Sequence, residues 1–281
     1  VGIVLVNYRG RDDTLECLES LRWLTYPSVV TVLVDNASGD GCPAAVRERF
    51  PRVEVIENRE NLGFTGGNNV GIRTALELGA EFVFLLNNDT TVHPALLGWL
   101  VSALTMDPKL GIVGPTMYYY DNPTEVWATG GKMDWRGQST LLTEHEPCDF
   151  IVGAGLMIRR EVLREIGLFD DRFFLYYEES DLCARARAAG WGIASVPQAA
   201  LWHKISKTTG ADSPLTLYYM RRNQLLYLRN RGNRAGLLAA LADSLRLLFV
   251  WTLKRAGNRA ALGQALADFR AGRLGRQTVQ N

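Results

Sequence analysis

Gly2-Ile3-Val4-Leu5-Val6-Asn7-Tyr8, Val29-Val30-Thr31-Val32-Leu33-Val34-Asp35-Asn36 and Phe82-Val83-Phe84-Leu85-Leu86-Asn87-Asn88-Asp89 share one pattern: a short apolar run that ends on amide or carboxylate side chains. Runs of this length without polar alternation are read as strands of a parallel sheet buried on both faces. Between the first two, Leu15, Leu18, Leu21 and Leu24 recur at helical spacing, which makes a βαβ unit. The alternation continues with a strand at 53–56, a helix at 68–78 and the strand at 82–86. Pro94 then opens a helix to Met106, as expected for proline in a first turn. The predicted class is α/β, a Rossmann-like, mostly parallel sheet with flanking helices.

After Ile112 the pattern is mixed, and Gly130-Gly131 and Arg136-Gly137 signal turns, so a hairpin insertion is expected there. A helix at 178–189 stops at Gly190, and 193–196 reads as a strand before Pro197. From Leu215 the pattern is helical to Arg270, with breaks at Gly232 and Gly257. This divides the chain into an α/β domain over 1–207 and a helical extension over 208–281.

Of the 281 residues, 47% are hydrophobic and 22% charged, which excludes a disordered, collagen-like or coiled-coil chain. Cys17, Cys42, Cys148 and Cys183 form no CxxC pair, so neither a zinc knuckle nor a redox motif is indicated, and a reduced, cytoplasmic setting fits. The net charge of +1 conceals an asymmetry. From Trp202 onward 14 Lys and Arg face 3 Asp, a net of +11, against −10 for the residues before it. On charge alone such a tail suits an anionic partner such as a membrane surface, a phosphorylated lipid or nucleic acid, or is simply a solvated helical extension. Leu237, Leu238, Leu241, Leu245, Leu248 and Phe249 follow near-helical spacing, with Arg246, Lys254 and Arg255 nearby. That pattern fits an interfacial helix on the inner face of the plasma membrane, and equally a helix packed on the first domain or across a homodimer. Asp243 and Arg246 interrupt the stretch, and no apolar run reaches the roughly 18–20 residues of a membrane span.

In open α/β sheets ligands bind beyond the carboxyl ends of the strands. Asn7-Tyr8, Asp35-Asn36 and Asn87-Asn88-Asp89 should therefore converge on one cleft. Singly, each is an ordinary turn or cap residue. Three in register point to a site.

Together with Asn61-Leu62-Gly63-Phe64-Thr65-Gly66-Gly67-Asn68-Asn69 and Tyr177-Glu178-Glu179-Ser180-Asp181-Leu182, these segments closely resemble the family 2 inverting glycosyltransferases of GT-A fold, especially the rhamnosyltransferase-like branch acting on cell-surface polysaccharides. The resemblance spans 1–207. It implies transfer from a UDP- or dTDP-sugar, with dTDP-rhamnose among the candidates, to a surface glycan or a polyprenyl-diphosphate-linked acceptor. Nucleic acid is not an expected partner.

Such transfer leaves a diphosphate with growing negative charge, which a divalent ion held by hard oxygens would stabilise. The resemblance makes Asp89 a ligand, with Asn87 in place of the first acid of the usual Asp-x-Asp. His203, in Ala200-Leu201-Trp202-His203, matches the family segment whose histidine reaches the metal, Mn²⁺ or Mg²⁺, and imidazole suits Mn²⁺ better. Inverting displacement needs a carboxylate to take the acceptor proton. By resemblance that base is Glu179; on a helix Glu178 and Asp181 share a different face, and Asp181 is expected to orient the loop or to cap the helix. Donor contacts are assigned to Asn7, Asp35, Asn69, Asn88 and Asp89, with Asp35 accepting from a base N–H or a ribose hydroxyl. The stretch Phe150 to Gly155 resembles the family's acceptor-side glycine segment, which makes Gly155 an acceptor contact, and Trp202 is a candidate wall for the acceptor sugar.

Two rivals stand beside this reading. A sugar-nucleotide nucleotidyltransferase normally carries a glycine-rich basic loop after its first strand, where this chain has Asn7-Tyr8-Arg9-Gly10. A catalytically silent sugar-nucleotide or glycan-binding domain would account for Asn87, but not for the retained candidates for base and metal.

Overall fold

The structure is a computed structural model that describes residues 1–205, 213–250 and 256–277. Lys254, Arg255 and the expected boundary at 207/208 lie outside the described residues. The first part runs β1 (Gly2–Asn7), α1 (Arg11–Leu21), β2 (Val30–Asp35), α2 (Cys42–Arg49), β3 (Glu54–Glu57), α3 (Gly63–Glu77) and β4 (Phe82–Asn87). Then come β5 (Thr90–Val92), α4 (Leu96–Met106), β6 (Leu110–Tyr119), β7 (Val126–Ala128), β8 (Gly130–Met133), β9 (Ser139–Leu142), β10 (Gly155–Arg159) and α5 (Arg160–Ile166). The remainder is α6 (Glu178–Ala188), β11 (Gly192–His203), α7 (Pro214–Asn230), α8 (Arg234–Val250) and α9 (Ala256–Ala271).

The main sheet has the order β3-β2-β1-β4-β10-β6-β11-β5, with β7 alongside β6. Strands β3, β2, β1 and β4 are all parallel, so their polar ends share one edge, as the sequence pattern requires. The second half is mixed. β10 runs antiparallel to both β4 and β6, whereas β11 is parallel to β6 and antiparallel to β5. The insertion expected after Ile112 is the β8–β9 hairpin, which turns at Arg136-Gly137; Gly130-Gly131 lie inside β8.

Helix α3 starts at Gly63, five residues before the expected start. Its glycines serve close packing: a Cβ on Gly71 would overlap Val4 of β1, and one on Gly67 would stand 2.8 Å from Val6 and 2.9 Å from Asn36. Gly232 does separate α7 from α8, but Gly257 lies within α9.

Helices α7, α8 and α9 share buried clusters with residues of the preceding chain. Phe173 and Tyr177 are buried with Leu225, Leu226 and Leu228 of α7 and Ala240 of α8, while Tyr218 and Tyr219 pack with Ala261 and Ala265 of α9. Beyond α9 the chain returns to the loop before α6, where the Gly275 N–H donates to the Arg172 carbonyl at 2.8 Å. Helix α8 buries small residues, Gly236, Ala240 and Ser244, and turns Leu238, Leu245 and Phe249 outward.

Candidate active site

At the carboxyl edge of β1 and β4 lies a cleft of about 300 Å³. Val6 and Leu86 contribute apolar surface, and Asn36, Asn87, Asn88, Asp89 and Asp13 bring polar groups to it. Gly63, Phe64 and Asn68 of α3 line it, as do Phe174 and Leu175 from the loop before α6 and Leu215 of α7.

Asp89 sits in the turn between β4 and β5. The antiparallel pairing of β5 with β11 sets His203 opposite Thr90, which brings together residues far apart in sequence. His203 Nε2 lies 3.1 Å from Asp89 Oδ1 and 3.4 Å from Asn87 Nδ2, and both Asp89 and His203 are buried. The Lys204 N–H donates to the Asp89 carbonyl at 3.0 Å, which fixes the turn. Among the described residues no group of three or more His, Cys, Asp or Glu gathers as a metal cage. The pair nevertheless fits a divalent ion. Ligands at right angles on an ion held at about 2.1 Å stand about 3 Å apart, and such ions commonly take one or two protein ligands and complete their shell with substrate phosphate and water. The donor set, one carboxylate oxygen and one imidazole nitrogen, suits Mn²⁺.

Glu178 and Glu179 open α6. The Asn87 N–H donates to the Ala154 carbonyl at 3.1 Å, which brings the segment before β10 to the end of β4. A Cβ on Gly153 would stand 3.2 Å from Phe64 in the cleft wall and 4.0 Å from the Glu179 Cβ. Glu179 is thus on the same sheet edge as Asp89, beside the cleft. Oε2 of Glu178 and Oε2 of Glu179 are both sealed from solvent and without hydrogen-bond partners. Burial raises both carboxyl groups, Glu179 to about 7, and Glu178 is raised further by the charge of Glu179. The two carboxyl groups therefore titrate as one coupled pair, in which burial disfavours the charged forms. Asp181 is buried and paired with Arg185 at 2.7 Å and Arg231 at 3.4 Å, which anchors the first turn of α6.

The loop feeding α6 is strained. Phe174, Tyr176 and Tyr177 have φ of 65°, 69° and 73°, a left-handed conformation that costs non-glycine residues about 1–2 kcal/mol each. Such geometry persists only where the surroundings impose it. Gly63, itself at φ 74°, faces Phe174 so closely that a Cβ there would strike its carbonyl and ring.

Of the sequence-derived candidates, Asn88 and Asp89 line the cleft, and His203 and Glu179 flank it. Others stand behind it. Asn7 donates to Asp35 (2.7 Å) and Ser38 (3.0 Å) and accepts from the Gly10 N–H (2.9 Å), so it fastens strand ends. Asp35 is 3% exposed, and both of its oxygens are engaged, one by Asn7 and one by the Ser38 N–H at 3.0 Å; Asn36 is the β2-end residue that faces the cleft. Asn69 is spent on the 169–171 loop, donating to the Phe169 carbonyl and Asp171 and accepting from the Phe169 N–H. Its neighbour Asn68 reaches the cleft instead.

Gly155 faces the sheet interior, since its Cβ would stand 2.6 Å from Leu201, and Gly153 is the glycine next to the cleft. Trp202 stacks on Tyr118 and donates to the Pro123 carbonyl, away from the cleft, because alternate residues of β11 face opposite ways; the ring packed on His203 is Trp127. Asp13 and Leu215 carry no site signal in the sequence, and Asn61 enters only as the first residue of the 61–69 segment. Each lies outside the strand-end pattern that marked the others.

The family model described as glycosyltransferase like family 2 matches residues 1–224, which carries the match into α7. The N-acetylglucosaminyl-diphospho-decaprenol L-rhamnosyltransferase of Mycobacterium tuberculosis is 28% identical, over 87% of this chain and 90% of its own length. The dTDP-rhamnosyl transferase RfbF of Shigella flexneri is 24% identical, over 89% and 86%. Among solved structures, a mannosyltransferase from Pyrobaculum calidifontis in complex with GDP-Man and Mn²⁺ superposes with a TM-score of 0.61 at 17% identity, covering 96% of this chain and 86% of its own. Staphylococcus aureus TarS 1-349 in complex with UDP-GlcNAc gives 0.63 at 15%, covering 95% and 80%. The strand-end cleft and the match over most of the chain together place this protein in glycosyltransferase family 2, and it is a glycosyltransferase of GT-A fold.

Proposed function

We propose that this enzyme moves a sugar, with inversion, from a UDP- or dTDP-sugar to a hydroxyl of a lipid-linked glycan, with dTDP-rhamnose the favoured donor. The observation that carries the reading is the pairing of Asp89, a cleft residue, with His203, together with the position of Glu179 next to Gly153, which borders the Phe64 wall of the same cleft. The names of the mycobacterial and Shigella relatives support the rhamnosyl donor, and the former supports a polyprenyl-diphosphate acceptor.

In this reading the acceptor hydroxyl oxygen attacks the anomeric carbon from the side opposite the diphosphate. The new C–O bond forms as the bond to the diphosphate oxygen breaks, and the hydroxyl proton passes to Glu179. Asp89 and His203 would hold the divalent ion, which when bound neutralises charge on the departing diphosphate. Asn88 and Asn68 offer hydrogen bonds to the nucleotide end, while Phe64, Phe174 and Leu175 exclude water around the reacting carbon.

A thermal-shift panel of UDP, dTDP and GDP, each with and without Mn²⁺, tests the donor assignment. A nucleotide at 100 times its dissociation constant stabilises by about 2.7 kcal/mol. The expected result is a rise in Tm with dTDP or UDP that grows when Mn²⁺ is added, and little change with GDP. A preference for GDP would overturn it.

Delivery of a lipid-linked acceptor is supported by α8. Among the described residues no helix is long and apolar enough to cross a membrane. Yet Leu238 is 67% exposed, Leu245 62% and Phe249 92%, spaced to form one outward stripe beside the exposed Arg234 and Arg246. An apolar stripe with basic flanks suits the surface of an anionic bilayer, whereas two copies of so basic an extension would repel one another. The double change Leu245→Ser and Phe249→Ser is expected to lower co-sedimentation with phosphatidylglycerol vesicles about tenfold or more, since each buried side chain is worth about 1.5–3 kcal/mol. Unchanged sedimentation, or a concentration-dependent dimer that the double change dissociates, would assign the stripe to protein packing.

A further inference from the structure

We propose that Arg222 and Asn223, adjacent on α7 of the extension, are positioning residues that hold the 172–177 loop in its left-handed course and so set the start of α6 that presents Glu179. The inference rests on the reading of Glu179 as the base. Both side chains are fully buried.

Arg222 Nη2 donates to the carbonyls of Arg172 (3.1 Å) and Phe173 (2.9 Å), Nη1 to Gly275 (2.6 Å) and to the Tyr218 hydroxyl (3.5 Å), and Nε to Asn223 Oδ1 (3.0 Å). Asn223 Nδ2 donates to the carbonyls of Phe173 (2.9 Å), Leu175 (2.7 Å) and Tyr176 (2.9 Å). The carbonyls of four loop residues, Arg172, Phe173, Leu175 and Tyr176, thus converge on two adjacent side chains.

Among the described residues no carboxylate forms an ion pair with Arg222. Burying a guanidinium without a counter-ion is costly, and here the hydrogen bonds to backbone carbonyls offset it together with the Tyr218 and Tyr219 rings, whose centroids lie 5.4 and 4.9 Å away. A stabilising core would be served as well by apolar residues of similar volume; donors are needed only if the carbonyls must point inward. They do point inward because Phe174, Tyr176 and Tyr177 take positive φ. Glu178 and Glu179 follow immediately, and Arg231, just past the end of α7, grips Asp181 from the other side. One helix of the extension therefore ties down the chain on both sides of the carboxyl pair.

The cleft wall has independent support: the Thr65 N–H donates to the Phe174 carbonyl at 3.2 Å, and the Phe174 ring stacks on Tyr219 at 5.2 Å. Loosening Asn223 should then displace Glu179 more than the donor pocket. A split between kcat and KM follows.

The test uses the full chain with Asn223→Ala and Asn223→Asp, each alone and combined with Glu179→Gln. The aspartate keeps the shape and the contact with Arg222 Nε but turns an acceptor toward the three carbonyls. In each variant kcat is expected to fall about 100-fold, the cost of a small misplacement of a reacting group. The donor KM and the dissociation constant of the bare nucleotide by calorimetry should change less than about threefold. Added to Glu179→Gln, neither change should lower kcat further, because the group it positions is already gone.

Wild-type kcat in the folded variants, a loss confined to KM, a fully additive loss in the Glu179→Gln background, or failure of both variants to fold would each overturn the positioning role. Wild-type kcat in Glu179→Gln alone would instead remove the base assignment.

Discussion

Glu179→Gln is expected to lower kcat for sugar transfer by about 10²–10⁴-fold, the usual contribution of a positioned general base, with the donor KM nearly unchanged. The amide is isosteric, and Glu179 Oε2 has no hydrogen-bond partner to lose, so the fold should be retained. The wild-type pH profile gives the companion measurement. Burial raises the Glu179 carboxyl to about 7, so kcat should climb as pH rises through 7 and fall away below it; in Glu179→Gln that limb should vanish. Stability should run in the opposite direction. A carboxyl whose folded-state value is raised favours the protonated protein, so its contribution is fully present below the ordinary carboxyl range and is lost as pH rises toward 7. A pH profile unchanged by the substitution would mean that another group takes the proton.

Asp89→Asn should be nearly as severe. It keeps an oxygen near His203 Nε2 but removes the charge that would hold a divalent ion, and the lost stabilisation of the departing diphosphate, several kcal/mol, corresponds to about 10³-fold in kcat. The same change should abolish the part of the nucleotide-induced rise in Tm that depends on Mn²⁺, while leaving the metal-free part. Full activity of the wild-type chain after exhaustive chelation would sink the metal assignment and leave Asp89 as a hydrogen-bonding residue.

The parallel half of the sheet was legible because its strands are buried on both faces, which forces uninterrupted apolar runs whose ends stand out in the sequence. Asn88 and Asp89 could be placed for that reason. The start of α3 was not legible, since Gly63, Gly66 and Gly67 weaken helix propensity there, and the close packing of Gly67 on Val6 and Asn36 is a tertiary contact that overrides it. The approach of His203 to Asp89 depends on β5, a three-residue strand too short to leave a pattern; only the family resemblance pointed to it. Asn69 shows a different limit. A buried amide looks the same in sequence whether it meets a ligand or a distant carbonyl, here that of Phe169. Arg222 in a basic helix reads as a solvated face, and its complete burial follows from tertiary contacts that no local spacing records.

The return of the chain past α9, where Gly275 meets both Arg172 and Arg222, has a consequence for biosynthesis. Because the ribosome delivers residues in order, the sheet and its strand-end asparagines can assemble while translation continues, but the segment ahead of Glu179 gains its final hydrogen bonds only after Gly275 has emerged.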